Sequence, residues 1–158
     1  MKKSLFFILL GILSIALLSC QRGGGDQAGG APRIAFVMKT ANNPFFIEMQ
    51  KGAEEAAKKL GVNLIVQAAE REVDVEKQMQ IVENLIQTKV AALCVTPSGS
   101  REIIPAIEKA NRAGIPVIII DTRVDAKALS ESKGKIASFI GSDNYEGGKL
   151  AGEFIVKR

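Results

Sequence analysis

The chain has 158 residues, 21 Lys and Arg against 17 Asp and Glu, a formal charge of +4, and 47 % hydrophobic residues. It contains no histidine, which excludes Ser-His and Cys-His nucleophile pairs and the usual zinc sites. Its cations are interleaved with carboxylates, a pattern that does not build a nucleic-acid surface.

Met1-Lys2-Lys3 followed by the apolar run Leu5 to Leu18 has the layout of an export signal over residues 1–19. That run is short of the ~20 residues that span a bilayer as a helix. It ends in Leu17-Leu18-Ser19-Cys20, which resembles the lipobox of bacterial lipoproteins. The resemblance implies that the Cys20 thiol is acylated and becomes the mature N-terminus, held in the lipid bilayer by its acyl chains. The alternative is an ordinary signal peptide that ends near a cysteine. Loss of Lys2 and Lys3 with the signal lowers the formal charge from +4 to +2. Residues 20–32 are Gly-rich and polar, and are expected to form a flexible tether that spans on the order of 20 Å.

From Arg33 onward, β-rich apolar runs alternate with helical periodicity. Arg33 to Lys39 reads as a strand, and Asn43-Pro44 as a helix N-cap and first position. Phe46, Met49, Ala53, Ala56 and Leu60 form that helix's apolar stripe, with Gly61 as its stop. Val62 to Gln67 is the second strand. A helix from about Asp74 to Thr88 follows, with Val75, Met79, Val82 and Ile86 on one face. Ala91 to Thr96 is a strand that buries the Cys94 thiol, and Ser100 to Ala113 is a helix closed by Gly114 and Pro116. Strands Val117 to Ile120 and Ile136 to Ile140 are separated by a polar loop, and a helix runs from about Tyr145 to Lys157. This alternation specifies an α/β fold, a doubly wound parallel sheet with helices on both faces.

Ligands of such sheets sit beyond the carboxyl ends of the strands. The first strand-end loop carries Asn43, Phe45 and Phe46. One of two adjacent helical phenylalanines can face the sheet, so Phe46 is expected inside and Phe45 nearer the strand ends. An aromatic face beside amides suits a sugar ring, although two phenylalanines alone read first as a core staple. Asp121 directly follows an aliphatic strand, where a carboxylate costs solvation without joining the core. It can accept from two sugar hydroxyls, and Arg123 can donate to ring or hydroxyl oxygens. Ser142, Asp143 and Asn144 add small polar groups after the last strand, with helix capping as the plainer reading. Ser98-Gly99-Ser100 is an anion cradle or, better, a turn with a helix cap. The loop after the first strand is not a phosphate-cradling Gly-rich loop.

The segments NNPFF, KLGVNL, GIPVIIID and GSDNYEGGKLAG, in this order, resemble the type I periplasmic sugar-binding proteins, most closely the ribose-binding branch of ABC-transporter solute receptors. The resemblance covers Arg33 to the C-terminus. It implies residues 33–141 as a first, Rossmann-like sugar-binding lobe and 142–158 as a hinge and the first helix of a second lobe. It further implies a ribose-like monosaccharide ligand bound by hinge closure, an ABC permease as partner, no cofactor and no enzymatic activity. By the same resemblance Asn43, Phe45 and Phe46 line the sugar site and Asp121 accepts from its hydroxyls. The residue after that aspartate is often arginine in ribose binders. Thr122 stands there in this chain, with Arg123 one place later, which leaves the sugar open. Only one helix follows the expected hinge, so the expectation is a fragment, a truncated frame or half of a split receptor with the second lobe missing. A repressor of the same fold would carry a DNA-binding segment where the signal sits. A receptor that presents ligand to a membrane sensor is the remaining alternative.

Overall fold

The computed structural model describes residues 30–157. The signal, the Cys20 acylation site and most of the tether lie outside the described residues. The elements are β1 (Arg33–Met38), α1 (Pro44–Leu60), β2 (Asn63–Ala68), α2 (Val75–Gln87), β3 (Ala92–Val95), α3 (Ile104–Arg112), β4 (Val117–Ile120), α4 (Ala126–Glu131), β5 (Ser138–Ile140) and α5 (Asn144–Val156). All strand pairs are parallel, in the order β2-β1-β3-β4-β5. The chain reverses its direction of winding between β1 and β3, so the crevice that receives ligands in doubly wound sheets lies outside their carboxyl ends.

Alternation along the strands divides the interior in two. Ala35, Val37, Leu93, Val95, Val117 and Ile119 point to one face, where Ile81, Val82, Leu85 and Ile86 of α2 and Ala106, Ile107 and Ala110 of α3 cover them. Phe36 and Met38 point to the other face and pack on Phe46 of α1. The second face is thinly covered: Cys94, Ile118 and Ile120 are half-buried there and Ile140 is exposed. The Cys94 thiol is thus packed but not sealed, and its burial pushes its pKa up.

Several expected boundaries and faces shift. On α1, Phe46 and Ala57 are buried, whereas Ala56 and Leu60 are exposed. At 100° per residue Ala57 lies only 20° from Phe46 and Ala56 some 80° away, so the stripe runs through Ala57. On α2 the buried set is Gln78, Ile81, Val82, Leu85 and Ile86, a face turned relative to the expected one. The helix expected from Ser100 begins at Ile104, after turns, because Pro105 lacks an N–H and fits only a first turn. The polar loop before β5 contains α4, a helix capped by Asp125, whose side chain accepts from Ala128 N at 2.8 Å. Six residues are too few to show a helical period, so only this cap could have revealed it. β5 itself is shortened to three residues.

Asp125 also holds the β4 exit to the loop before α3, through Arg101 Nε at 2.9 Å and through its own N–H donating to Ser100 O. The Ala128 N–H and the Arg101 guanidinium hold its carboxyl below the usual carboxylate range. A group depressed in this way contributes stability in full above its unfolded pKa and loses it as pH falls through the folded one. Hydrogen exchange of the Ala128 amide is therefore expected to accelerate only in acid below the ordinary aspartate range, and Asp125→Asn to remove that pH dependence. An amide whose protection is equally pH-dependent in the variant would refute it.

Candidate functional site

The carboxyl end of β4 carries an unusual backbone. Asp121 has φ 63°, in the left-handed region that favours glycine, and Lys89 is the only other non-glycine residue with positive φ among those described. This conformation is held by Asp121 N–H donating to Ile140 O at 2.8 Å and Thr122 N–H donating to Ile120 O at 2.7 Å. The Thr122 hydroxyl donates to Asp121 Oδ2 at 3.1 Å. Strain of this kind persists only where surrounding structure fixes it, and it concentrates at binding sites.

Asp121 lines a polar cleft of about 380 Å³ together with Arg123, Phe139, Gly141, Ser142, Asp143 and Asn144. The structure thus brings together the polar residues that follow β4 and those that follow β5. Arg123 lies over the Phe139 ring, its guanidinium carbon 3.7 Å from the centroid, which fixes a long side chain at the cleft wall. Gly141 is required by close approach: a Cβ there would run into the Phe139 ring. Asp143 serves as the N-cap of α5, accepting from Tyr145 and Glu146 N–H, so capping explains this residue while Ser142 and Asn144 remain at the cleft.

The first loop is organised separately. Asn43 Oδ1 accepts from Phe45 N at 2.9 Å and its Nδ2 donates to Glu72 Oε1 at 2.8 Å. Thr40 Oγ1 and Asn42 Nδ2 both donate to Glu70 O, tying this loop to the segment after β2. Phe45 is 53 % exposed and meets Phe46 edge to face, with centroids 5.2 Å apart. Phe46 is 2 % exposed and packs with Phe36 and Met38. Phe46 thus faces the sheet as helix geometry predicts, and the exposed aromatic surface of this loop is Phe45. None of Asn43, Phe45 and Phe46 lines the cleft around Asp121.

Sequence reasoning missed two neighbours of the switch point, Gln78 and Lys39, and read a third, Ser98, as part of an anion cradle or a turn. Gln78 is 2 % exposed, and its Nε2 donates to Met38 O at 3.2 Å and Thr96 O at 2.9 Å while Oε1 accepts from Ser98 N at 2.8 Å. A glutamine inside an apolar helical stripe was the available signal. The Ser98 hydroxyl is buried without a hydrogen-bond partner among the described residues. Lys39, one residue past β1, is half-buried and has no ion pair among the described residues.

Residues 34–158 match the family model described as the periplasmic binding protein domain. The chain is similar to the ribose import binding protein of Bacillus subtilis, 40 % identical over 125 residues, which cover 79 % of this chain and 38 % of that protein. It is 39 % identical over 129 residues to the D-ribose/D-allose-binding protein of Pseudomonas aeruginosa, covering 80 % and 40 %. Among solved structures, an ABC transporter solute binding protein from Actinobacillus succinogenes with bound D-allose superposes with TM-score 0.72 at 49 % identity, over 75 % of this chain and 41 % of that one. This chain therefore spans about two-fifths of the length of the relatives it matches. With its five-stranded parallel sheet and its strand-end cleft, it belongs to the periplasmic binding protein domain family, whose type I sugar-binding members it is similar to in sequence and structure.

Proposed function

We propose that this chain supplies one wall of a monosaccharide-binding site in a lipid-anchored solute receptor of an ABC import system. The observation that carries this reading is Asp121, a carboxylate held in strained backbone at a strand end and facing a polar cleft beside a stacked arginine. A carboxylate of this kind accepts from vicinal hydroxyls, and Arg123, Ser142 and Asn144 offer donors within the same cleft. Phe45 supplies an apolar ring for the C–H face of a sugar. Asn43 would exchange Glu72 for a ligand hydroxyl. The relatives' names and the bound D-allose support aldoses as the ligand class. Residues 33–141 act as the binding lobe and 142–158 as the hinge segment, the N-terminal signal exports the chain, and Cys20 anchors it to the bilayer.

The cleft is open on one side, so affinity is expected to be weak, with Kd above about 1 mM, or less than ~4 kcal/mol of binding energy. Saturation-transfer NMR with D-ribose and D-allose at millimolar concentration tests the reading. Contact signals that vanish in Asp121→Asn are expected. Signals unchanged by that substitution, or none from either aldose, would overturn it.

A further inference from the structure

In a parallel sheet every strand begins at the same pole, and the helices that return the chain end there. This pole is basic. Lys58 and Lys59 occupy the last turn of α1, Lys89 follows α2, and Lys133 and Lys135 precede β5. All five are exposed, and none has a carboxylate within ion-pair distance among the described residues. Glu83 and Glu108, toward the ends of α2 and α3, are already engaged by Lys109 at 3.2 Å and Arg112 at 3.6 Å. Glu54 and Glu55 stand more than a turn before the end of α1. At the opposite pole the balance shifts toward acid: Glu70, Glu72, Glu76, Asp121 and Asp143 have no cation within ion-pair distance among the described residues, against the three unpaired cations Lys39, Lys77 and Arg123. The domain is thus a charge dipole along its strands, although its net charge is small.

The chain also enters the domain at the basic pole. Pro32 O accepts from Asn63 N–H at the start of β2, and Arg33 opens β1 while its guanidinium donates to Thr88 O. The described chain therefore enters the domain at this pole, at the strand ends opposite the ligand cleft.

We propose that the pole formed by Lys58, Lys59, Lys89, Lys133 and Lys135 docks on an anionic lipid headgroup surface and orients the domain with the Asp121 cleft turned away from the bilayer. The orientation rests on the proposed membrane anchoring, which a lone tether would leave free to tumble. Each lysine brought to an anionic surface favours docking by about fivefold. Five together outweigh the freedom of a short tether, yet they act over roughly a 10 Å screening length at 0.1 M salt, so docking is reversible.

The test is acetylation footprinting by mass spectrometry of the full chain, as cells produce it, reconstituted in two kinds of vesicle. One kind is phosphatidylcholine alone and the other is phosphatidylcholine mixed with phosphatidylglycerol. The N-terminal insertion is the same in both, so any difference reports headgroup charge. Reactivity of the five lysines is expected to fall about fivefold or more on the phosphatidylglycerol vesicles, while Lys77, at the start of α2, keeps its reactivity. Added salt restores the five, and Lys58→Glu with Lys133→Glu and Lys135→Glu abolishes the protection of Lys59 and Lys89. Equal footprints on both vesicles, or protection of Lys77 to the same extent, would overturn the proposal. The mass of the N-terminal peptide separates the two readings. Acylated Cys20 without protection removes docking and keeps the anchor, and protection with unmodified Cys20 removes the anchor and keeps docking.

Discussion

Gln78→Ala is expected to lower stability by about 3 kcal/mol, with a fall in Tm of roughly 10–15 °C for a domain of this size. The reason is the position of the three groups it joins. Met38 O ends β1, Thr96 O follows β3, and Ser98 N begins the loop beyond. These strands are neighbours across the switch point, where no crossover helix packs the gap between their exits. Truncation takes this partner from two buried carbonyls and from the half-buried Ser98 N–H, and each loss costs about 1 kcal/mol. Gln78→Leu distinguishes hydrogen bonding from volume: it refills the space but restores none of the bonds, so it should recover less than half of the loss. Chemical denaturation, with the slope unchanged, checks both variants. A leucine variant as stable as the wild type would show that packing, and not polar stitching, holds the switch point together.

The same residue shows where sequence reasoning stops. The alternation of strands and helices was legible because apolar periodicity is a local property: β1, β2, β4 and α1 lie within a residue or two of their expected bounds. Asn43 as N-cap and Gly61 as left-handed stop were legible for the same reason. The burial of Phe46 against the exposure of Phe45 followed from helix geometry alone. The stripe on α2 was misjudged because Gln78 is polar, and only its long-range partners, 18 to 40 residues away, make its burial favourable. α4 was invisible because a helix this short owes its existence to the cap and to Arg101, 24 residues distant from Asp125. The grouping of Asp121 with Arg123, Ser142 and Asn144 was expected from strand ends, whereas the stacking of Arg123 on Phe139 has no local signature. The separation of the phenylalanine loop from that cleft is a matter of sheet order: β1 and β4 are not neighbours, since β3 lies between them.

Substitutions at Asp121 should separate stability from binding, because its backbone and its carboxylate do different things. A left-handed φ costs a residue with a Cβ roughly 1–2 kcal/mol, is borne better by Asp and Asn, and is free for glycine. Asp121→Ala is therefore expected to destabilise the domain by about 1 kcal/mol, or roughly 3–6 °C in Tm. Asp121→Asn should match the wild type. Asp121→Gly should equal or exceed it, the relieved strain offsetting the extra freedom of glycine in the unfolded chain. All three remove the anionic acceptor, so all three should lose the aldose contact signals, the glycine variant despite its stability. Alanine as stable as glycine would show that the left-handed turn relaxes once the carboxylate is gone. The hydrogen bond from Asp121 N–H to Ile140 O then decides between these outcomes. It joins the last turn of β4 to β5, so its amide should stay protected from exchange in the glycine variant and open in the alanine one. Persistence in both would mean that the β4–β5 pairing imposes the turn. The strained aspartate is then a consequence of sheet closure, and its carboxylate is placed at the cleft by the fold itself.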